Sequence, residues 1–445
     1  MKVVIVGAGF GGLKLARKLN NKAGFEVVLV DRFNHHQFQP LFYQVATAGL
    51  DASNISFPLR KIFHKTNNVH IRLATLKEVV GAQNKIVTDI GDISYDVLVL
   101  AMGAGTNYFN NPQIEANTVP MKSTYEALQL RYRLLQNFEK ALILNDPEEL
   151  KRRMNIVIVG GGPTGVELSG ALAEMKKYIL PKDYPELDFS QMNIYLLEGG
   201  GKTLATMSEK SSFESHNYLN RLGVTVKTNA LVKNYDGKQV LLGDGTVIES
   251  SFVIWAAGVK GNVPDGIDKN VVLKSNRIKV DRHCLVEGTS NIYAIGDLAY
   301  MEEPAYPKGH PQLAAVAIQM GELVGDHLIR VERKSTQFIE FVYYDKGTMA
   351  TIGRNKAVCD LPKPKLHFKG FIAWMIWMGL HLFLLLGIKN RFFVFSNWVY
   401  NYFTHDQNLR LIFRNYQQIA EPLQKLNPEK GVKEVPRTAE VVANA

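Results

Sequence analysis

Short apolar runs that break into glycines and then into helical periodicity recur along this chain. Lys2 to Val6 (KVVIV) reads as a strand, and Leu13 to Leu19 repeats its apolar positions at helical spacing before a second strand, Phe25 to Val30. The same order returns at Asn155 to Val159, Val166 to Lys177 and Met192 to Leu197. Further buried strands are predicted at Asp96 to Leu100, Phe252 to Ala256 and from Asn291 to Ile295, with another helical pattern starting near Leu313. Strands alternating with helices predict an α/β chain with two Rossmann-like dinucleotide-binding domains. Phe371 to Ile388 breaks this rhythm. It runs eighteen residues without a formal charge, His381 being its only ionisable side chain. As one helix it would cover about 27 Å, just short of a hydrocarbon core of about 30 Å.

Two of the strand–helix junctions carry glycines at a telling spacing. In Gly7-Ala8-Gly9-Phe10-Gly11-Gly12, Gly7 permits a tight turn, Gly9 lets the backbone approach a pyrophosphate, and Gly12 lets helix and strand pack closely. The helix N-terminus then faces the phosphates. The next strand ends at Asp31, nineteen residues past Gly12, where a carboxylate accepts hydrogen bonds from ribose hydroxyls. Gly160, Gly162 and Gly165 repeat these tasks in GGGPTG, and Glu198 is the matching acid. A carboxylate there repels the 2′-phosphate of NADP and favours NAD(H), a preference that nearby Lys202 softens. Small residues after other buried strands let a flat ligand meet the backbone: Ala101 and Gly103, Gly258, and Gly296 ahead of Asp297. Asp297 suits flavin ribityl hydroxyls, or equally a plain helix N-cap.

At 445 residues the chain has room for about three domains. Its 46% apolar and 21% charged content excludes disordered and fibrous classes. Cys284 and Cys359 stand 75 positions apart without a CxxC, so neither a disulfide framework nor a thiolate metal site is expected. They read as inert packing residues in a reducing compartment. The opening residues carry no export signal. A net charge of +10 suits a polyanion, either nucleic acid or an anionic membrane surface. The C-terminal region favours the second. Lys363, Lys365 and Lys369 precede the long apolar run; Lys389, Arg391, a second apolar stretch from Phe392 to Phe403, Arg410 and Arg414 follow it. Trp374, Trp377 and Trp398 fall here too, and tryptophan prefers the headgroup level of a bilayer. A membrane contact is expected, spanning or lying along the bilayer, with a buried helix or a subunit interface as the alternative. Beyond about residue 426 a mobile tail is expected.

The order GAGFGG, DVLVLAMGAGTNYF, IVIVGGGPTGVELSG, IWAAGV and IYAIGD resembles the two-dinucleotide-binding-domain flavoproteins. His36 to Leu50 (HQFQPLFYQVATAGL), Gly165 to Gly170 (GVELSG) and Gly379 to Val394 (GLHLFLLLGIKNRFFV) resemble, more narrowly, the type II NADH:quinone oxidoreductases, single-subunit respiratory NADH dehydrogenases. The resemblance covers nearly the whole chain. It implies FAD in the first cradle, NADH in the second, and a C-terminal region docked on the membrane. The division it implies is an FAD domain of residues 1–115 and 278–330, an NAD(H) domain of 116–277, a membrane-anchoring region of 331–425 and a tail of 426–445. The partners expected are a membrane quinone (ubiquinone or menaquinone), a lipid surface and a second copy in a homodimer, without nucleic acid. The place expected is the cytoplasmic side of a cell inner membrane, peripherally.

Relatives that relay electrons through a dithiol need a cysteine pair soon after the first cradle, and Arg32 to Leu50 contains none. Electrons therefore pass from flavin to quinone directly, with two protons, and no proton pumping is expected from so short an apolar segment. The resemblance implicates Glu167 in NADH and quinone handling near the flavin; read alone it is an acid at a helix start, where the dipole favours it. The family's AQxAxQ pattern reads Ala314-Ala315-Val316-Ala317-Ile318-Gln319 here, which leaves Gln319 as a candidate quinone contact without its usual companion. His381 is a candidate proton or hydrogen-bond donor, or a satisfied structural histidine. Phe38 to Thr47 is expected along the flavin ring. Two other readings remain open on these residues: a soluble NAD(P)H:acceptor reductase of the ferredoxin-reductase type, and a flavin-dependent nucleic-acid-binding module.

Overall fold

A computed structural model describes residues 1–412 apart from Lys274 and Thr336, so Arg414 and the expected tail lie outside the described residues. The chain lays down β1 (Lys2–Val6), α1 (Phe10–Leu19), β2 (Glu26–Asp31), the short helix α2 (Phe42–Ala46), β3 (Val69–Leu73) and β4 (Val97–Leu100). It then crosses to a second sheet with β5 (Val119–Pro120), β6 (Asn155–Val159), α3 (Pro163–Tyr178), β7 (Asn193–Leu197), β8 (Val224–Lys227) and β9 (Phe252–Trp255). It returns to the first sheet with β10 (Ile292–Ala294) and covers it with α4 (Ala314–Glu332).

Both sheets are five-stranded and parallel, in the orders β10-β4-β1-β2-β3 and β5-β9-β6-β7-β8. Val3, Val4, Ile5, Ile156, Val157 and Ile158 are fully buried. Helices cover both faces of such sheets, which is why their strands read as unbroken apolar runs instead of alternating ones. Two small antiparallel sheets are inserted at residues 76–94 and 232–249. α1 and α4 meet backbone to backbone: a Cβ on Gly321 would lie 2.4 Å from the Gly11 carbonyl oxygen.

The C-terminal region departs from the sequence expectation in two ways. Before any helix it forms an antiparallel sheet of β11 (Thr348–Gly353), β12 (Lys356–Leu361) and β13 (Leu366–Lys369). In β11 the side chains of Ala350, Thr351 and Ile352 are all buried while Thr348 and Met349 are only partly so, a strand covered on both faces at its centre. Nor is the apolar run one helix. α5 (Gly370–Leu384) ends, Gly387 turns the chain at φ +78°, and α6 (Ile388–Thr404) begins. The fifteen residues of α5 rise about 22 Å. Among the described residues no helix is long and apolar enough to cross a membrane.

Each of these helices has two faces. α5 turns Ala373, Trp377 and His381 inward at helical spacing, and α6 does the same with Val394 and Trp398. The opposite faces are bare: Phe383 is 71%, Ile388 84% and Phe403 76% exposed. Trp377 and Trp398 join the core that packs under the second sheet and α2.

Candidate active site

The first cradle is built as the glycine spacing demands. A Cβ on Gly7, at φ +104°, would lie 2.4 Å from the Ala101 carbonyl oxygen, and one on Gly12 would lie 1.9 Å from the Gly7 carbonyl oxygen. A Cβ on Gly9 or Gly103 would meet no atom within 4 Å, so there the protein leaves open space in front of the backbone. The N-terminus of α1 has no side-chain cap and no acid in its first turn, which leaves its N–H groups and dipole for an anion. Asp31 accepts from the Ala8 N–H at 2.6 Å and the Phe33 N–H at 2.7 Å. Burial pushes its carboxyl above the usual range, with those bonds and Arg32 pulling down.

The second cradle copies this geometry. A Cβ on Gly165 would lie 1.9 Å from the Gly160 carbonyl oxygen; one on Gly162 meets open space, and α3 starts uncapped. Glu198 accepts from the Gly161 and Gly200 N–H groups at 2.6 Å each, so its carboxylate is locked beside the turn. Lys202 is paired with Glu209. The softening of cofactor preference assigned to it is therefore lost to a surface ion pair. Glu198→Gln is expected to shrink the preference for NADH over NADPH about tenfold, measured as a ratio of kcat/KM values, because the repulsion of a 2′-phosphate goes with the charge.

The groups after the other strands lie along these crevices. Gly258 and Gly296 sit at φ +72° and +69°. Asp297 lies in a single 3-10 turn, and the N-cap of the next helix is Leu313, so the plain N-cap reading of Asp297 fails. Its carboxyl is raised by burial, against the pull of Lys122 and Arg277. A largely buried carboxyl with no side-chain hydrogen bond among the described residues suits ligand hydroxyls. Open space before Gly9, an uncapped helix start and these two acids together fit the pyrophosphate, ribose and ribityl groups of FAD.

Glu167 sits elsewhere than at a helix start. α3 begins at Pro163, so Glu167 falls in the second turn, buried. It lines a cleft of about 910 Å³, partly open to solvent, between α3, β11 and the helices α5 and α6. Tyr43, Trp374, Trp377 and Trp398 form its aromatic wall. Burial raises the Glu167 carboxyl to about 8; the Thr351 N–H, 3.4 Å from Oε1, and the nearby Trp377 indole pull the other way. Glu167 thus holds a proton at neutral pH in an apolar setting, as a proton donor to a developing oxyanion should.

Gln319 and His381 are not in this cleft. The Gln319 amide is occupied at both ends, accepting from the Tyr344 N–H at 2.9 Å and donating to the Tyr344 carbonyl at 3.0 Å, so it pins the chain that leads to β11. His381 stacks behind Trp377 at 4.0 Å with Nδ1 2.7 Å from the Trp377 carbonyl oxygen. Burial lowers it to about 4, so it is neutral and supports the tryptophan. Of the segment expected along the flavin, Phe38, Leu41, Phe42 and Val45 are core residues, while Tyr43, Gln44 and Thr47 face the cleft. Cys284 and Cys359 are buried, and burial pushes both thiols up, which fits packing.

Comparison with known proteins supplies relatives for this arrangement. Residues 1–321 match the family of pyridine nucleotide-disulphide oxidoreductases, and residues 345–405 match the NDH2 C-terminal domain. The chain is 35% identical over 416 residues to the type II NADH:quinone oxidoreductase Ndh of Mycobacterium tuberculosis, covering 89% of this chain and 87% of that one. The structure of NDH2 from Plasmodium falciparum in complex with NADH has the same fold: TM-score 0.83 at 22% identity, over 93% of this chain and 99% of that one. A ferredoxin reductase from Rhodopseudomonas palustris is less alike, with a TM-score of 0.62 over 81% of this chain and 82% of its own.

Proposed function

We propose how this chain works from one premise: it belongs to the type II NADH:quinone oxidoreductase family. It oxidises NADH and reduces a membrane quinone, ubiquinone or menaquinone. The observation that carries the reading is the cleft, where a buried protonated acid lies between the second cradle's helix and two helices with bare aromatic faces. Bound FAD supplies the chemistry of accepting a hydride and handing on two electrons.

This chain's residues do the rest. Gly7, Gly9, Gly12 and Asp31 hold the FAD pyrophosphate and ribose, and Ala101, Gly103, Gly296 and Asp297 receive its other half. Gly160, Gly162, Gly165, Glu198 and Gly258 hold NADH. Residues 1–115 with 278–330 form the FAD half, and 116–277 the NADH half. The aromatic wall of the cleft sandwiches a flat quinone head, and Glu167 gives it a proton. No proton is carried from one side of the lipid to the other, so the reaction moves no charge across a membrane.

The bare faces of α5 and α6 lie along the lipid, with Lys389 and Arg391 at the headgroups; amphipathic surface helices bind this way. The enzyme is read as a peripheral homodimer on the cytoplasmic side of a cell inner membrane. Phe383→Asp and Phe403→Asp should each weaken binding to anionic vesicles about tenfold or more, since each removes apolar burial of about 1.5–3 kcal/mol. Turnover with ferricyanide should not change, because both side chains stand clear of the core. Equal binding by the variants would move the membrane face elsewhere.

The test of the whole reading is spectroscopic. Purified protein is expected to be yellow, to bleach on addition of NADH under nitrogen, and to recover its colour when a short-chain quinone is added. Protein that takes up no flavin, or that stays bleached in the presence of quinone, overturns it.

A further inference from the structure

Glu167 has a companion. Glu174 lies two helical turns along the same face of α3, about 10 Å away along the axis, and lines the same cleft. The two acids are seated alike on β11 and its turn: Thr351 N–H faces Glu167, and Arg354 N–H donates to Glu174 Oε1 at 2.6 Å. Gly353 makes that approach possible, since a Cβ there would lie 2.9 Å from the same oxygen. The Tyr43 phenol, buried against both, is pushed well up by burial and then by the two carboxyls, Glu167 first.

The end of the cleft beyond Glu174 is polar. The Arg354 guanidinium lies 4.0 Å over the Tyr402 ring and touches His405, whose ring lies tilted against Tyr178 at 4.6 Å. The charged and titratable groups around Glu174 are thus Glu167 and Tyr178 on its own helix, Arg354 and Lys356 from the hairpin, Tyr402 and His405 from α6, and Tyr43 from α2. Burial raises the Glu174 carboxyl above its usual range, while the Arg354 N–H and then the charges of Lys356 and Arg354 pull it down.

We propose that Glu174 is the outer station of a proton path that runs from solvent past His405 and Arg354, through water in the cleft, to Glu167 and the quinone. The inference rests on the reading of the cleft as the quinone site. Each turnover gives the quinone two electrons and two protons. The electron pair and one proton derive from the NADH hydride, and the second proton comes from solvent. A Glu167 O–H bond breaks as a quinol O–H forms; the Glu167 carboxylate then takes a proton by way of water from Glu174, which reloads from solvent. Glu167 is too buried to stay ionised, so turnover waits on that reloading. Glu174 is a positioning and relay residue and does not touch the quinone.

The test is stopped-flow reoxidation of the NADH-reduced holoenzyme by a short-chain quinone. Glu174→Gln keeps the acceptor for the Arg354 N–H but cannot carry a proton. It is expected to slow reoxidation about tenfold, within the range of lost acid–base help, and to raise the solvent deuterium isotope effect. Glu174→Asp, which keeps the proton, should run near the parent rate. Ferricyanide, which takes electrons without protons, should be reduced equally by all three. A structural role predicts the opposite ranking, with the isosteric Gln ahead of Asp, and that ranking overturns the proposal. So does a Glu174→Gln enzyme with parent rate and isotope effect. If Glu167→Gln is slow and Glu174→Gln is not, the path alone fails; if neither is slow, the quinone site itself is misplaced.

Discussion

Gly12→Ala is expected to yield colourless protein, and Gly165→Ala a yellow protein that NADH no longer bleaches. In both, the new methyl would stand 1.9 Å from a carbonyl oxygen of the cradle's own turn, at Gly7 and Gly160 respectively. Helix and strand must part to admit it. Overpacking costs about 1–3 kcal/mol where side chains yield, and here the obstacle is backbone. Gly9→Ala separates fold from ligand, because its Cβ meets nothing within 4 Å. That variant should fold as the parent does, with the same melting temperature when both are stripped of flavin, and still lose flavin affinity at least tenfold, since the methyl occupies the approach to the phosphates. Absorbance of the purified variants at flavin wavelengths, before and after NADH, reads all three. Exchange of the two phenotypes would reverse the assignment of the cradles.

Glu167→Gln is expected to lower the rate of flavin reoxidation by quinone about 100-fold, the lower range for loss of a positioned acid, with reduction by NADH little changed. The parent rate should fall as pH rises through about 8, where the donor loses its proton, and the variant rate should be flat there. Stability carries the same signature. The unfolded chain releases this proton above its ordinary value of 4.5, whereas the folded chain keeps it to about 8. Between those limits the folded state binds more protons, so stability declines as pH rises across the window. The Gln variant should lose that component of the slope, measured as urea midpoints at pH 5 and pH 8. A parent pH profile that is flat through 8 would remove Glu167 from the proton step.

Both cradles were legible in the sequence because their information is local: a strand, three glycines, a helix and an acid lie within one stretch of chain. Asp31 and Glu198 fall at the strand ends where the spacing puts them. The cleft was not legible, because its walls come from α2, α3, β11, α5 and α6, brought together by packing. Arg354 and His405 lie 51 positions apart and touch only through the fold. Glu174 did carry a signal, since seven residues from Glu167 is two turns of helix, but an acid on an amphipathic helix usually faces water. Gln319 and His381 stood out in the sequence as polar groups, but the backbone carbonyls and the N–H that engage them are supplied by the fold. The apolar run from Phe371 could not reveal its break, because Gly387 announces a turn only when the helices on either side have cores to join.

The return of the chain to its first sheet sets the order of events during synthesis. β4 leaves the ribosome with its outer edge unpaired, and its neighbour β10 starts at residue 292. At about 5–20 residues per second that edge waits on the order of 10–40 s for its partner. Over the same interval β5 to β9 emerge as a contiguous set that can pair among themselves. The nascent protein can therefore pair its second sheet first, and the first sheet, with an open edge of buried valines and leucines, is the part that waits longest for its missing strand.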